Sequence, residues 1–272
     1  TLRTRGFSAT SFNNYMQNPW DYFYRNVLRI PEVKPLHMHF GTVMHAVLEA
    51  LVKKGIEPGT EPPFTDVTTA LKQALTQAPL SSHAYQQLYE QGVEVLGAYL
   101  PTFVSGSVTQ MKTEYSVRVT LKTGLTEFPD LPLSGTFDRI DYHPDGSIAR
   151  IVDYKTGQPK SRNEIEGNTK NSDGRYKRQL VFYALLLSLY DESLYTDTIT
   201  YTLSFVQPAK NGSIKEESFM ITAAEVEALR AEIIAGVTTL LSGSWIHDTD
   251  VREESEYTAF VTEFIERLRA SQ

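Results

Sequence analysis

Residues 133–157 read LSGTFDRIDYHPDGSIARIVDYKTG, two alternating apolar runs joined by His143-Pro144-Asp145-Gly146. Asp-Gly between such runs is a strong signal for a two-residue hairpin turn. With Asp145 and Gly146 as the loop, Pro144 pairs with Ser147, and counting back along both arms sets Asp138 opposite Asp153. Facing residues on paired strands point to the same side of the sheet, and side chains repeat every second residue, so Lys155 joins the two carboxylates there. Ile148, Ile151 and Val152 read as a buried strand running into Asp153. Buried like charges repel unless a cation sits between them. Oxygen-rich sites of this kind suit Mg²⁺ or Mn²⁺, and a lysine beside the metal polarises a water or a phosphate oxygen, which points to phosphodiester hydrolysis. On the hairpin alone, a solvated charge ladder of Asp138, Asp141, Asp153 and Lys155 accounts for the pattern equally well, because D…DxK is short and frequent by chance.

The chain of 272 residues, 41% hydrophobic and 22% charged, suits one large soluble domain or one domain with a helical elaboration. It has no cysteine, which excludes disulfides, thiolate zinc sites and cysteine-held iron-sulfur clusters and fits a cytoplasmic setting. No apolar run approaches the roughly 20 residues that span a bilayer, so no membrane partner is expected, and no signal peptide opens the chain. Without an initiator Met, Thr1 reads as the cut end of a longer polypeptide. The net charge of −7 argues against broad attraction to nucleic acid, but residues 150–178 carry eight Lys or Arg against four carboxylates. Within that segment Lys170, Arg175, Lys177 and Arg178 are the candidate DNA contacts.

Residues 8–28 read as a short helix capped at Ser8 or Thr10, then a second with Pro19 at its first position; their crowded aromatics read as core rather than a base-stacking platform. Residues 39–54 carry apolar residues at helical spacing and end at Gly55, with His45 beside that stripe on a ridge with Gly41 and Glu49. Taken alone, such a histidine is a boundary residue. Helices over 66–78 and 82–103 follow, and no phosphate-binding glycine loop occurs, so the chain carries no ATPase motor. Residues 110–122 alternate as a first strand, with Glu114 on the other parity, either contributing to the acidic site or, the favoured reading, sitting exposed. The polar segment 158–174 reads as a mobile loop, and 175–190 as a buried helix in which Gln179 and Tyr183 share a face. Strands over 196–206 and 214–221, a helix over 222–241 with a Thr222/Glu225 capping box, an irregular stretch over 245–256 and a closing helix over 257–269 complete the chain.

In that order the residues resemble the RecB-like and AddB-like branch of the PD-(D/E)xK nuclease superfamily. The likeness is carried by SATSFNNYMQNPWDYFYRNVL from Ser8, GTVMHAVLE from Gly41, GTFDRID from Gly135, IVDYKTG from Ile151 and QLVFY from Gln179. Each motif is weak singly; five in sequence over most of the chain are specific. The resemblance implies an α/β, restriction-endonuclease-like mixed sheet flanked by helices with a helical N-terminal elaboration. It divides a single nuclease domain, residues 1–272, into a helical part at 1–108, a catalytic core at 109–221 and C-terminal helices at 222–272. It implies that His45, Asp138, Asp153 and the Tyr154 carbonyl hold Mg²⁺ or Mn²⁺, that Lys155 is catalytic, and that Gln179 and Tyr183 assist DNA placement and the active-site network. The implied activity is a metal-dependent deoxyribonuclease, an exonuclease working with a helicase module in DNA repair, recombination or end processing. AddB-type relatives often clasp an iron-sulfur cluster, and Asn18 stands where its first cysteine belongs, so no such cluster is expected. The alternative is a nuclease-fold DNA-binding or scaffold module whose catalysis is lost.

Overall fold

The structure, a computed structural model, describes residues 2–56, 59–104, 110–253 and 255–270. The chain begins with helices α1 (Leu2–Arg5), α2 (Ala9–Gln17) and α3 (Pro19–Tyr22), the last running on into a π-helical turn, Phe23–Leu28. Helices α4 (Leu36–Lys53), α5 (Phe64–Gln77) and α6 (Ser82–Val104) precede strands β1 (Gln110–Lys122), β2 (Asp130–Tyr142) and β3 (Ile148–Lys155). Helices α7 (Arg162–Glu166) and α8 (Arg175–Tyr190) lead to β4 (Thr200–Phe205) and β5 (Lys215–Met220). Helices α9 (Ala223–Ser242), α10 (Thr249–Glu253) and α11 (Glu256–Ala270) close the chain.

The strands form one sheet in the order β1-β2-β3-β4-β5, antiparallel except for the parallel pair β3–β4. Parallel neighbours need a long crossover, and α7 and α8 provide it. Helix α8 packs on one face of the sheet with α2 and α9, its Leu180, Phe182 and Leu185 through Leu187 buried in the larger core. Helices α4, α5 and α6 build a second core on the other face against Val152, Tyr154 and Val206. The helical N-terminal part therefore covers both faces of the sheet. Its aromatic segment is core, as expected: Trp20 and Tyr24 pack with Trp245 and Tyr257.

The capping signals act where the sequence places them. Ser8 caps α2, Asn18 caps α3 with Pro19 at its first position, and Thr222 and Glu225 form the box that opens α9. The segment 158–174 is more organised than expected. Ser161 and Glu164 form a further capping box that starts α7, and Ile165 is fully buried. The stretch after Trp245 also contains the short helix α10.

The hairpin between β2 and β3 has a different turn from the expected one. Gly146 N–H donates to the His143 carbonyl at 3.0 Å and His143 N–H to that of Ser147 at 2.9 Å, so the loop has three residues, with Gly146 at φ 85°. Proline presets the second position of such a turn, and Asp145 Oδ1 accepts the Ser147 N–H at 2.9 Å. The extra loop residue displaces the register by one. A bulge that leaves Ala149 unpaired, between Tyr142↔Ile148 and Asp141↔Arg150, displaces it back. Arg139 consequently faces Val152, with Asp138 and Asp153 the next residue on each strand, in the phase the sequence implies.

Candidate active site

At Asp138 the sheet opens. The β1–β2 ladder passes from Thr113↔Arg139 to Tyr115↔Phe137 and skips Glu114 and Asp138, with Glu114 in the left-handed region at φ 50°. Freed from the ladder, Asp138 turns its carboxylate across the gap, where Oδ2 accepts the Tyr154 N–H at 2.8 Å. In an extended residue N–H and C=O point the same way, so the Tyr154 carbonyl faces the same gap.

Asp153, 2% exposed, lies beside it at the centre of a network. Its Oδ1 accepts from Gln179 Nε2 at 2.7 Å and from the Tyr183 hydroxyl at 3.0 Å. Gln179 Nε2 also donates to the Tyr183 oxygen at 3.0 Å, and Gln179 Oε1 accepts from Lys155 Nζ at 2.7 Å. The Lys155 ammonium is 2.7 Å from Asp153 Oδ2, yet that buried oxygen receives no directed hydrogen bond.

Two motif glycines bring the helices in. A Cβ on Gly135 would stand 2.5 Å from Leu186 Cδ1, so α8 lies close enough over β2 for Gln179 and Tyr183, one turn apart, to reach Asp153. A Cβ on Gly41 would stand 3.0 Å from Thr156 Oγ1, and that approach of α4 to the end of β3 delivers His45 one turn later. His45 Nδ1 is 3.6 Å from Asp138 Oδ2, and its ring meets the Tyr154 ring edge-on at 5.7 Å between centroids. Ligand atoms of His45, Glu114 and Asp138 all lie within 4.8 Å of one another.

Burial pushes the Asp153 carboxyl above its ordinary pKa; the Lys155 charge opposes this and that of Asp138 adds to it. Burial, then the Asp138 charge, likewise raises Glu114. For His45, burial works against the imidazolium, but the Asp138 hydrogen bond and charge, with Asp153 and Glu114, outweigh it and the pKa rises. The cluster has an excess of negative charge and one buried carboxylate oxygen, Asp153 Oδ2, whose sole partner is the Lys155 ammonium. Both features, and the mixed imidazole, carboxylate and carbonyl donor set, fit a divalent cation held by His45, Glu114, Asp138, Asp153 and the Tyr154 carbonyl.

The structure thus brings together His45, Asp138, Asp153, Tyr154, Lys155, Gln179 and Tyr183. Glu114, the less favoured candidate for the acidic site, is exposed as read and yet stands among them, and its left-handed backbone left no trace in the local sequence. Asp141, the other carboxylate of the supposed charge ladder, is neither solvated nor part of the site. It is fully buried, forked to Arg139 at 2.7 and 2.8 Å and also bonded by Arg150, which reaches Glu216 at 3.3 Å. The four candidate DNA contacts divide. Lys170 and Arg175 are exposed, Arg175 beside Asp173 at 2.9 Å. Lys177 instead pairs with Glu225 at 3.0 Å and lies over the Phe219 ring, and Arg178 holds Asn13 Oδ1 and the Asp173 carbonyl.

No curated protein sequence matches the chain significantly. Among solved structures it is similar to a proposed exonuclease from Eubacterium rectale, with a TM-score of 0.53 and 11% identity over 86% of this chain and 79% of that one, a likeness of fold. The model of the PD-(D/E)XK nuclease superfamily matches residues 6–257. With its mixed sheet, its paired aspartates and the lysine that follows them, the chain belongs to the PD-(D/E)XK nuclease superfamily.

Proposed function

We propose that this chain is a single nuclease domain of the RecB-like and AddB-like branch, a Mg²⁺- or Mn²⁺-dependent deoxyribonuclease that hydrolyses phosphodiester bonds as an exonuclease. The observation that carries the reading is the Asp138–Asp153–Lys155 cluster with His45 and Glu114 on one side and the Gln179–Tyr183 pair on the other. A divalent cation bound there polarises a phosphate oxygen and lowers the pKa of a bound water. The chain's own residues prepare the place. Tyr183 and Gln179 hold one oxygen of Asp153 and leave the other to the Lys155 ammonium 2.7 Å away, which Gln179 also fixes. Lys155 then stands ready to hold a phosphate oxygen or a water, and its charge stabilises the negative charge that develops on the phosphate during attack. The resemblance supports a setting in DNA repair, recombination or end processing, in the cytoplasm, beside a helicase module in the same or a partner chain. No described helix is long and apolar enough to cross a membrane.

The test is cleavage of linear DNA with Mg²⁺ or Mn²⁺, abolished by EDTA, alongside calorimetry of Mn²⁺ binding. His45→Ala and Glu114→Gln are expected to weaken Mn²⁺ on the order of 10–100-fold. Lys155→Ala is expected to bind Mn²⁺ as the parent does and to lose most turnover. Wild-type protein that binds DNA and metal but cuts nothing would identify the silent scaffold, and unchanged Mn²⁺ affinity in both ligand variants would overturn the ligand assignment.

A further inference from the structure

The cationic row of the site continues beyond Lys155. The Lys155 and Lys160 ammonium groups both lie over the Tyr176 ring, 4.9 Å and 5.9 Å from its centroid. Tyr176 is itself positioned by the first turn of α8 and by an edge contact with Phe205 at 6.4 Å. The same tyrosine lines a cavity of about 500 Å³ with Lys160, Lys170, Arg175 and the amide side chains of Gln17 and Asn171. The cavity therefore opens beside the site's lysine, within reach of a strand whose scissile phosphate rests there.

Two carboxylates share its wall, and both are already committed. Glu164 Oε2 accepts the N–H and hydroxyl of Ser161 at 2.8 and 2.7 Å, and Asp173 accepts the N–H and Nε of Arg175 at 3.1 and 2.9 Å. Lys160 stands 3.8 Å from Glu164 with both side chains half-exposed, a long and solvent-screened pair that holds the ammonium only weakly. Lys170 is exposed and makes no ion pair among the described residues. Two ammonium groups are thus free to turn into a polar cavity in a protein whose net charge is −7.

We propose that this cavity is the subsite for the phosphate next to the scissile one on the DNA strand being cut, gripped by Lys160 and Lys170, with Tyr176 keeping Lys155 and Lys160 in one row. The inference rests on the nuclease reading and deepens it: the strand is held at consecutive phosphates by Lys155 at the end of β3 and by the two lysines that flank α7. Phosphate contacts of this kind set register without reading sequence.

The experiment compares the wild type with Lys160→Ala/Lys170→Ala. Binding of a labelled single-stranded DNA oligonucleotide is measured by anisotropy without divalent metal across a salt series. The double variant is expected to bind about tenfold more weakly, with the slope of log affinity against log salt reduced by about 0.7 for each lost contact. In a scan with one neutral methylphosphonate linkage at a time, a single linkage is expected to weaken wild-type binding while leaving the double variant unaffected. Wild-type affinity and slope in the variant, or an equal loss at every linkage, overturns the subsite. Lys170 is exposed and Lys160 half-exposed with its ammonium outside the core, and matching melting curves check that the variant folds. Because binding is read without metal, a wild type that binds DNA but cleaves none overturns the nuclease reading alone, while one that binds no DNA overturns both.

Discussion

In the metal-free protein the Asp153 carboxylate is buried, and burial pushes its pKa up. The folded state therefore keeps this proton to a higher pH than the unfolded chain. Stability is lost as pH rises from the ordinary carboxylate value through the raised one, since there the unfolded chain binds fewer protons. Asp153→Asn removes that burden and is expected to melt higher than the wild type at neutral pH without metal, by about 2–4 °C for each kcal/mol relieved. The gap should close as the pH is lowered through the interval. Saturating Mn²⁺ should reverse the order, because only a protein that binds the ion gains stability from it. A variant that melts lower than the parent at neutral pH in EDTA would show that the charge is already compensated by Lys155. Glu114 is the residue where sequence reading stopped short. The register of β1 on β2 sets it across from Asp138, and its left-handed backbone, costing about 1–3 kcal/mol outside glycine, takes it out of the ladder beside His45.

At the scale of the element, α8 and its glycine neighbour on β2 act as one unit. Gly135→Ala drives a methyl into Leu186, which is buried in the main core, and overpacking of this kind costs about 1–3 kcal/mol. Leu186→Ala alone leaves a cavity costing about 2–5 kcal/mol, but the double variant should cost less than the two together. Urea denaturation of the four proteins checks this, and strictly additive losses would refute the close approach. The same scale shows why the hairpin was legible. Alternation of apolar residues gave the phase of both strands, whereas the turn type did not: Pro144 favours a three-residue loop, and the unpaired Ala149 restores what the loop displaces. The Gln179–Tyr183 pair and the capping boxes could be read because they depend on spacing within one element. The burial of Asp141 between Arg139 and Arg150 could not, because a charged residue facing a strand partner looks the same whether helix α6 or water covers it. Ile165, the one large apolar residue of segment 158–174, was the visible sign that this loop would dock.

For the molecule as a whole, the net charge of −7 means that a DNA strand approaches against the average field and is held only on arrival. Association should therefore lack electrostatic acceleration, with a rate constant no higher than the ~10⁵–10⁶ M⁻¹s⁻¹ of unsteered encounters and little fall as salt rises. Stopped-flow mixing measures it; a constant near 10⁸ M⁻¹s⁻¹ that drops steeply with salt, the steered range, would mean that one face is far more basic than described. The covering of the sheet has a further consequence for how the molecule is made. Helices α4 to α6 bury their apolar sides on Val152, Tyr154 and Val206, which are translated long after them. At about 5–20 residues per second, those helices wait on the order of ten seconds at the ribosome with that side uncovered. The nascent chain is thus exposed to aggregation before its own sheet arrives, and His45 is synthesised well before the aspartates it stands beside.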